Sequence, residues 1–184
     1  MIKDTITSLS RTTVRLHWLV AIMMIGLLAV GIYMEEQEVY ALYPWHKSLG
    51  VLILLLVLPR IVWRIMNGWP KSHEEHSSIE TFLAKLVHWL LILGTLLMPI
   101  SGMMMSGFGG HGIFVFGIEL FAINPDPANP KEVIAVNGTL ASFGHEVHGV
   151  GSNVLIVAIV LHVIGAIKHH LIDKDNTLNR MLGK

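Results

Sequence analysis

The stretch from His148 to His162 reads HGVGSNVLIVAIVLH, and it decides the fold of this chain. It is an apolar run bounded by two histidines. At 3.6 residues per turn, fourteen steps return to within about 40° of the starting face and rise about 21 Å. Both imidazoles therefore lie on one face of a helix, one near each edge of a bilayer. Ionisable side chains inside an apolar span are costly and rare, so this pair of histidines predicts a functional site. Two stacked metal centres would explain the pair.

The composition is that of a small membrane protein. Of 184 residues, 53% are hydrophobic and 14% are charged, and the mean hydropathy is +0.61, whereas soluble domains have about 25% charged residues. The formal net charge of zero gives no reason to expect a nucleic-acid partner. The chain has no cysteine, which excludes disulfides, thiolate-bound iron–sulfur clusters and covalently attached c-type haem.

Four apolar stretches are long enough to span a bilayer, which takes about 20 residues each. We predict helices over residues 16–34, 46–65, 82–105 and 148–167. The first stretch runs directly into Glu35 and Glu36 without a small-residue cleavage site, so we expect it to be retained and not removed as a signal peptide. The fold class expected is all-α: one integral membrane domain, residues 1–184, built as a four-helix bundle.

Basic residues are distributed unequally between the connections, and this predicts the orientation. One side has only Lys47 and Lys131. The other side has Lys3, Arg11, Arg15, Arg60, Arg64, Lys71, Lys85, Lys168, Lys174, Arg180 and Lys184. Both termini are therefore expected in the cytoplasm. The segment 106–147 would face outward, and its apolar patches at 113–116 and 119–123 predict a short amphipathic cap at the membrane interface.

Sorted by depth, the membrane histidines form two layers. The outer layer has His46 and His148, and the inner layer has His17, His88 and His162. Each layer contains at least one pair of imidazoles. Facing helices of a bundle commonly hold cofactors in this way, so the pattern favours two haems stacked across the bundle.

Residues fourteen positions after three of these histidines support the same interpretation. They are Gly31 after His17, Gly102 after His88 and Arg60 after His46. The glycines would let the backbone stand back from a flat macrocycle at the outer level. Arg60 would provide a cation for a propionate at the inner level.

Each feature taken singly has a simpler explanation. A histidine near a helix end can snorkel to the interface, glycines are common in membrane helices for packing, and Arg60 can be a positive-inside residue. The joint agreement of depth, face and pairing favours the di-haem hypothesis over these explanations.

His145 competes with His148 for the outer position. It lies seventeen residues before His162, which rotates it about 100° from that face, so His148 is the better ligand. His145 would then lie at the mouth of the site. The default expectation is solvated surface for His73, His76, His111, His169 and His170.

The chain resembles the prokaryotic cytochrome b561 family over nearly its whole length. The matching motifs are His17-Trp18, His46-Lys47-Ser48-Leu49-Gly50, Arg60-x-x-x-Arg64, His88 followed by Pro99-Ile100-Ser101-Gly102, and the run from His169 to Leu178. The resemblance implies a multi-pass protein of the bacterial plasma membrane with two non-covalent b-type haems that exchanges electrons with quinone. By position, His17, His46, His148 and His162 match the family's haem ligands.

Two axial histidines leave no iron position open, so the chemistry expected is electron transfer and not oxygenation. Since a quinone takes up protons with its electrons, an imidazole at the cytoplasmic rim is a plausible proton donor, and His88 is the candidate. The expected function is an oxidoreductase between an unidentified outer-face partner, with superoxide as one donor, and membrane quinone. The alternatives are a cytochrome subunit of a dehydrogenase or hydrogenase and, less favoured because the spans contain almost no carboxylates, a metal transporter.

Overall fold

The computed structural model describes residues 4–5, 8–68 and 77–183. Lys3, Lys71, His73, His76 and Lys184, which entered the sequence predictions, lie outside the described residues. The elements are α1 (Arg11–Glu36), a 3₁₀ turn (Tyr40–Leu42), α2 (Tyr43–Leu52), α3 (Leu54–Asn67), α4 (Ser78–Phe108), β1 (Ile113–Val115), β2 (Ile118–Phe121), α5 (Gly138–Leu171) and α6 (Thr177–Met181).

Within the described residues, four helical segments are long and apolar enough to cross a membrane, which confirms the predicted fold class. They are Arg11–Glu36, Tyr40–Asn67, Ser78–Phe108 and Gly138–Leu171. The last begins at Gly138, well before the predicted start near residue 148, because the Asn137 side chain accepts from the Leu140 N–H and caps the helix there. Which end of the bundle faces the cytoplasm stays a prediction.

The second segment tightens near its middle. The Ile53 carbonyl accepts from the N–H groups of both Leu56 and Val57, so a 3₁₀ bond adds to the α-helical one. Further on, Pro59 lies inside α3 and has no N–H to donate to the carbonyl of Leu55. Ile53 is fully buried, so the tightened turn lies in the core of the bundle.

The helices meet around an aliphatic core to which all four spans contribute. Its buried members are Val20, Met24, Leu27, Leu28, Ile53, Val57, Met98 and Leu155. Small residues let α4 and α5 approach closely: a Cβ added at Gly144 would lie 2.7 Å from the backbone nitrogen of Met105 and 3.0 Å from the carbonyl oxygen of Ser101. Close backbone approach at glycines is a common basis of helix packing in membranes.

The segment after α4 contains a β-hairpin, and its predicted position as an amphipathic cap at the membrane interface stays a prediction. Strands β1 and β2 pair antiparallel, and the turn residues Phe116 and Gly117 have φ of 49° and 88°. Two positive φ values are what a tight hairpin turn needs, since they match the twist of the strands. The buried Ser48 hydroxyl accepts from the Phe116 N–H at 3.0 Å and donates to the Pro44 carbonyl at 2.7 Å, which attaches the hairpin to α2. The apolar patches thus pair with each other across a turn.

The opposite end of the bundle holds both ends of the described chain. The indole N–H of Trp18 donates to the Met181 carbonyl at 2.8 Å, and the Arg180 guanidinium donates to the Thr5 carbonyl at 2.8 Å. We call this the terminal end and the other the hairpin end; they correspond to the predicted inner and outer layers.

Candidate functional site

At the hairpin end, two helices bring one pair of imidazoles together. The ring centroids of His46 on α2 and His148 on α5 lie 6.5 Å apart. A glycine stands beside each ring: a Cβ would lie 3.3 Å from Cε1 of His46 at Gly31, and 3.1 Å from Cε1 of His148 at Gly102. Both glycines therefore leave room at the level of the ring pair.

His148 is held by the chain in a defined orientation. Its Nδ1 lies 3.0 Å from the Met98 carbonyl oxygen and 3.1 Å from Oγ of Ser101. A carbonyl only accepts hydrogen bonds, so Nδ1 carries the proton and Nε2 carries the lone pair. Ser101 is buried and donates its own hydroxyl to Met98. The ring is thus positioned as a ligand whose far nitrogen is anchored to the protein.

His46 presents a different situation. Its Nδ1 is buried and has no hydrogen-bond partner among the described residues. A buried polar atom without a partner is costly, and such atoms often mark sites completed by a group other than protein.

At the terminal end, three imidazoles lie close together. The centroid of His162 on α5 lies 6.1 Å from that of His17 on α1 and 5.3 Å from that of His88 on α4. His88 also makes a hydrogen bond to the backbone of Ala84, one turn earlier on its own helix. The geometry brings together all three residues predicted for the inner layer, and distance alone does not select between His17 and His88 as the partner of His162.

Arg60 on α3 lies beside this group, and its Nη2 is 3.5 Å from Nδ1 of His17. That distance is at the limit for a hydrogen bond. A guanidinium only donates, so a full hydrogen bond here would put the proton of His17 on Nε2. The pairing of Arg60 with a propionate, expected from the sequence, stays a prediction.

The other described histidines stand outside both groups of paired rings. His145 is exposed, and its Nδ1 contacts Sδ of Met105 at 3.2 Å. His111 and His170 are exposed, as expected; burial of part of the His111 ring, with Lys47 nearby, lowers its pKa from the ordinary value. His169 does not follow the expectation of solvated surface, because its Nδ1 lies 2.9 Å from a carboxylate oxygen of Asp173 and 3.2 Å from one of Asp175.

Sequence reasoning missed the groups that orient His148. The Met98 acceptor is a backbone carbonyl, which no side-chain pattern reveals. Ser101 gave a weak signal, being a polar residue within the apolar run before Gly102. Ser48, which attaches the hairpin beside His46, gave the same kind of signal.

Three observations test whether these residues fit a haem with two axial histidines. Imidazoles are common axial ligands of haem iron, and His148 offers a lone pair on Nε2. With metal–nitrogen bonds of about 2 Å, rings on opposite sides of one metal have centres about 6 Å apart, close to the observed 6.5 Å and 6.1 Å. Gly31 and Gly102 lack the Cβ that would crowd Cε1 of His46 and of His148. The residues present fit the group.

Comparison with known proteins identifies the family of this chain. A family model described as prokaryotic cytochrome b561 matches residues 8–184. "Cytochrome b561 homolog 2" of Escherichia coli (strain K12) is 34% identical over 175 residues, which cover 91% of this chain and 87% of that protein. "Probable superoxide oxidase CybB" of Yersinia pestis is 29% identical over 173 residues, covering 92% of each. The chain belongs to the prokaryotic cytochrome b561 family, and is thus a multi-pass bacterial inner-membrane protein of electron transport that binds b-type haem.

Proposed function

We propose that this protein carries two b-type haems and transfers electrons between a donor at its outer face and quinone in the membrane. The observation that carries the proposal is the pairing along α5. His148 lies against His46 at the hairpin end, and His162 lies against His17 at the terminal end. His162 follows His148 by fourteen positions on α5, which corresponds to a rise of about 21 Å along the helix.

In this proposal His46 and His148 bind the outer haem, and His17 and His162 bind the inner one. Each bound haem supplies an iron that gains and loses one electron. The chain supplies orientation: the Met98 carbonyl fixes the tautomer of His148, and such a partner raises the basicity of the ligand. Gly31 and Gly102 keep side chains out of the space beside the rings.

The terminal end has the groups that quinone reduction requires. A quinone that accepts two electrons also takes up two protons, and imidazole is the side chain that titrates nearest neutrality. The ring centroid of His88 lies 5.3 Å from that of His162, and His88 is not one of the four proposed haem ligands. We assign His88 to proton delivery or contact with quinone at this end.

The donor proposed for the outer face is superoxide. The relative from Yersinia pestis is named a probable superoxide oxidase. Lys47, directly after His46, gives the hairpin end a cation that would attract a small anion. Two superoxide ions would each lose one electron and become O₂, and one quinone would take those two electrons with two protons to become quinol.

The test uses the purified full chain in lipid nanodiscs. We expect two haems per polypeptide by pyridine haemochrome assay, reduction of both by superoxide, and reoxidation by a ubiquinone analogue. One haem per fully loaded chain would contradict the two-layer arrangement. Reduction by a co-purifying second subunit, with no response to superoxide, would instead support the alternative of a cytochrome subunit in a dehydrogenase or hydrogenase.

The role of His88 is tested separately with His88→Ala. We expect both haems to remain bound and the rate of reoxidation by quinone to fall by about tenfold or more, in the range of general acid catalysis. His170→Ala, at an exposed position on the same end, is the control and should leave the rate unchanged. Loss of the inner haem in His88→Ala would move the ligand role from His17 to His88.

A further inference from the structure

One carboxylate at the terminal end is buried and has no part in the function proposed above. The Asp4 side chain is 4% exposed. It accepts from the Ser10 N–H at 2.8 Å, and the Thr13 hydroxyl lies 2.9 Å and 2.8 Å from its two oxygens. Removing a carboxylate from water costs free energy unless the chain supplies both hydrogen bonds and a counter-charge.

The counter-charge of Asp4 is Arg64 on α3. Nη1 of Arg64 lies 3.6 Å from Oδ2 of Asp4, and it also donates to the Gly68 carbonyl at 2.9 Å. The Arg64 side chain is 21% exposed, so water and salt screen the pair only in part. The charges of Asp4 and Arg64 therefore largely cancel at a distance.

Hydrogen bonds hold Asp4 between α1 and α3. The Thr13 hydroxyl, which donates to Asp4, accepts from the indole N–H of Trp63 at 2.8 Å. The Ser10 hydroxyl donates to the same oxygen of Thr13 at 3.1 Å, and both Ser10 and Thr13 are buried. The position of the carboxylate is thus fixed by contacts that join the two helices.

The pair of Asp4 and Arg64 lies close to the histidine group of the terminal end. Arg64 follows Arg60 by four positions on α3, so the two arginines share one helix face. Arg60 is the residue whose Nη2 lies 3.5 Å from Nδ1 of His17. Four residues rise about 6 Å along a helix, less than the distance of about 8–10 Å over which salt screens a charge. The charge on Arg64 is therefore near enough to act on a centre bound by His17.

We propose that Asp4 sets the potential of the inner haem by cancelling the charge of Arg64. This inference rests on the proposed function, in which His17 and His162 bind that haem. While Asp4 is in place, the charge of Arg60 acts on the haem and that of Arg64 is balanced. Without Asp4, two arginines would act together and would favour the reduced, less positive centre. Asp4 acts through Arg64, as a positioning residue and not as a ligand.

The test is a redox titration of the purified full chain with both haems bound, in lipid nanodiscs. We expect Asp4→Asn to raise the inner potential, so that the ratio of reduced to oxidised inner haem at a fixed potential increases at least about threefold. The double variant Asp4→Asn/Arg64→Leu removes both charges and should bring the ratio back to within about twofold of the unaltered protein. The outer haem, about 21 Å away along α5, is an internal control and should keep its potential.

Two further variants separate the effect of charge from that of structure. Thr13→Val removes a hydrogen bond to Asp4 and keeps both charges of the pair, so the inner potential should stay near that of the unaltered protein. Glu80→Gln removes one negative charge from the same end at the start of α4, where the side chain is 41% exposed. Solvent screens a charge at such a position, so this variant should also keep the inner potential.

Two results would overturn the proposal. The first is an inner potential that does not rise in Asp4→Asn while both haems stay bound. The second is an equal rise in Thr13→Val, which would assign the effect to the hydrogen bonds and not to the charge.

Haem content covers the case in which Asp4→Asn loses the inner haem. Recovery of that haem in the double variant Asp4→Asn/Arg64→Leu would support the cancelled charge, and loss of the haem in both variants would overturn it. One haem per chain in the unaltered protein would instead contradict the proposed function.

Discussion

The two ends of the bundle build their histidine groups in different ways. At the hairpin end, His46 and His148 stand beside Gly31 and Gly102, and His148 is anchored to a backbone carbonyl. At the terminal end, His162 is shared between two histidine neighbours, and Arg60 lies next to them.

This difference indicates how each site is tuned. At the hairpin end the two imidazole rings have one arrangement. A Cβ added at either glycine would crowd a ring, and the Met98 carbonyl fixes the tautomer of His148. A site surrounded by ionisable groups can exchange charge and protons with its surroundings. Under the proposed function, the hairpin end would serve one-electron transfer and the terminal end a reaction that couples electrons to protons.

Removing a proposed ligand would have the largest effect. We expect His46→Ala to lose the outer haem and retain the inner one, because the two pairs lie about 21 Å apart along α5. Haem content and the spectrum of the remaining centre measure this. His145→Ala, which removes an exposed imidazole at the same end, should retain both haems; loss of haem in this control would transfer the ligand role to His145.

Filling the space beside the outer rings should weaken that site alone. Gly102→Ala places a Cβ 3.1 Å from Cε1 of His148, and Gly31→Ala places one 3.3 Å from Cε1 of His46. Overpacking of this kind costs about 1–3 kcal/mol, so the outer haem should dissociate more readily in transfer assays to apomyoglobin. Gly26→Ala, on α1 with no atom within 4 Å of the new Cβ, is the control. Equal behaviour of all three variants would show that the glycines serve helix packing.

Arg60→Leu should lower the potential of the inner haem. A nearby cation favours the reduced, less positive centre, and at an effective dielectric of ~20 a charge ~8 Å away contributes roughly 2 kcal/mol before screening. Arg64→Leu is the control, because Arg64 lies 3.6 Å from Asp4 and its charge is partly balanced. Redox titration measures both. An inner potential that does not move in Arg60→Leu would leave Arg60 as an orientation residue only.

Ser101→Ala should give the smallest change, a rise in the potential of the outer haem. The serine oxygen accepts from Nδ1 of His148 together with the Met98 carbonyl, and losing one acceptor makes the ligand less basic. One hydrogen bond contributes about 1 kcal/mol, or about 40 mV for one electron. Ser152→Ala is the control: this serine donates to the Gly149 carbonyl within its own helix turn, and its loss should not shift the potential of the outer haem. A fall in that potential in Ser101→Ala would contradict the proposed direction of the hydrogen bond from His148 to Ser101.

Helical spacing could predict which rings meet, because the periodicity of α5 fixes the faces of His148 and His162 once the chain is helical. It also anticipated Gly31 and Gly102 at the hairpin end, since equal steps on neighbouring helices reach equal depth. Whether these histidines bind iron stays a prediction.

Spacing could not predict the hairpin, whose pairing depends on the turn at Phe116 and Gly117 and on Ser48 from a distant helix. It also could not predict the Met98 acceptor or the contacts of His169 with Asp173 and Asp175, because these depend on the three-dimensional placement of backbone and loops.

The two bonds at the terminal end also constrain how the chain inserts. Thr5 and Arg180 are 175 positions apart in sequence and meet only if an even number of crossings returns the chain to its starting side. A chain that inserted three of its four spans would place these partners on opposite sides of the membrane. It would also separate the Trp18 indole N–H from its acceptor at Met181. These contacts therefore distinguish the folded protein from any chain with an odd number of crossings.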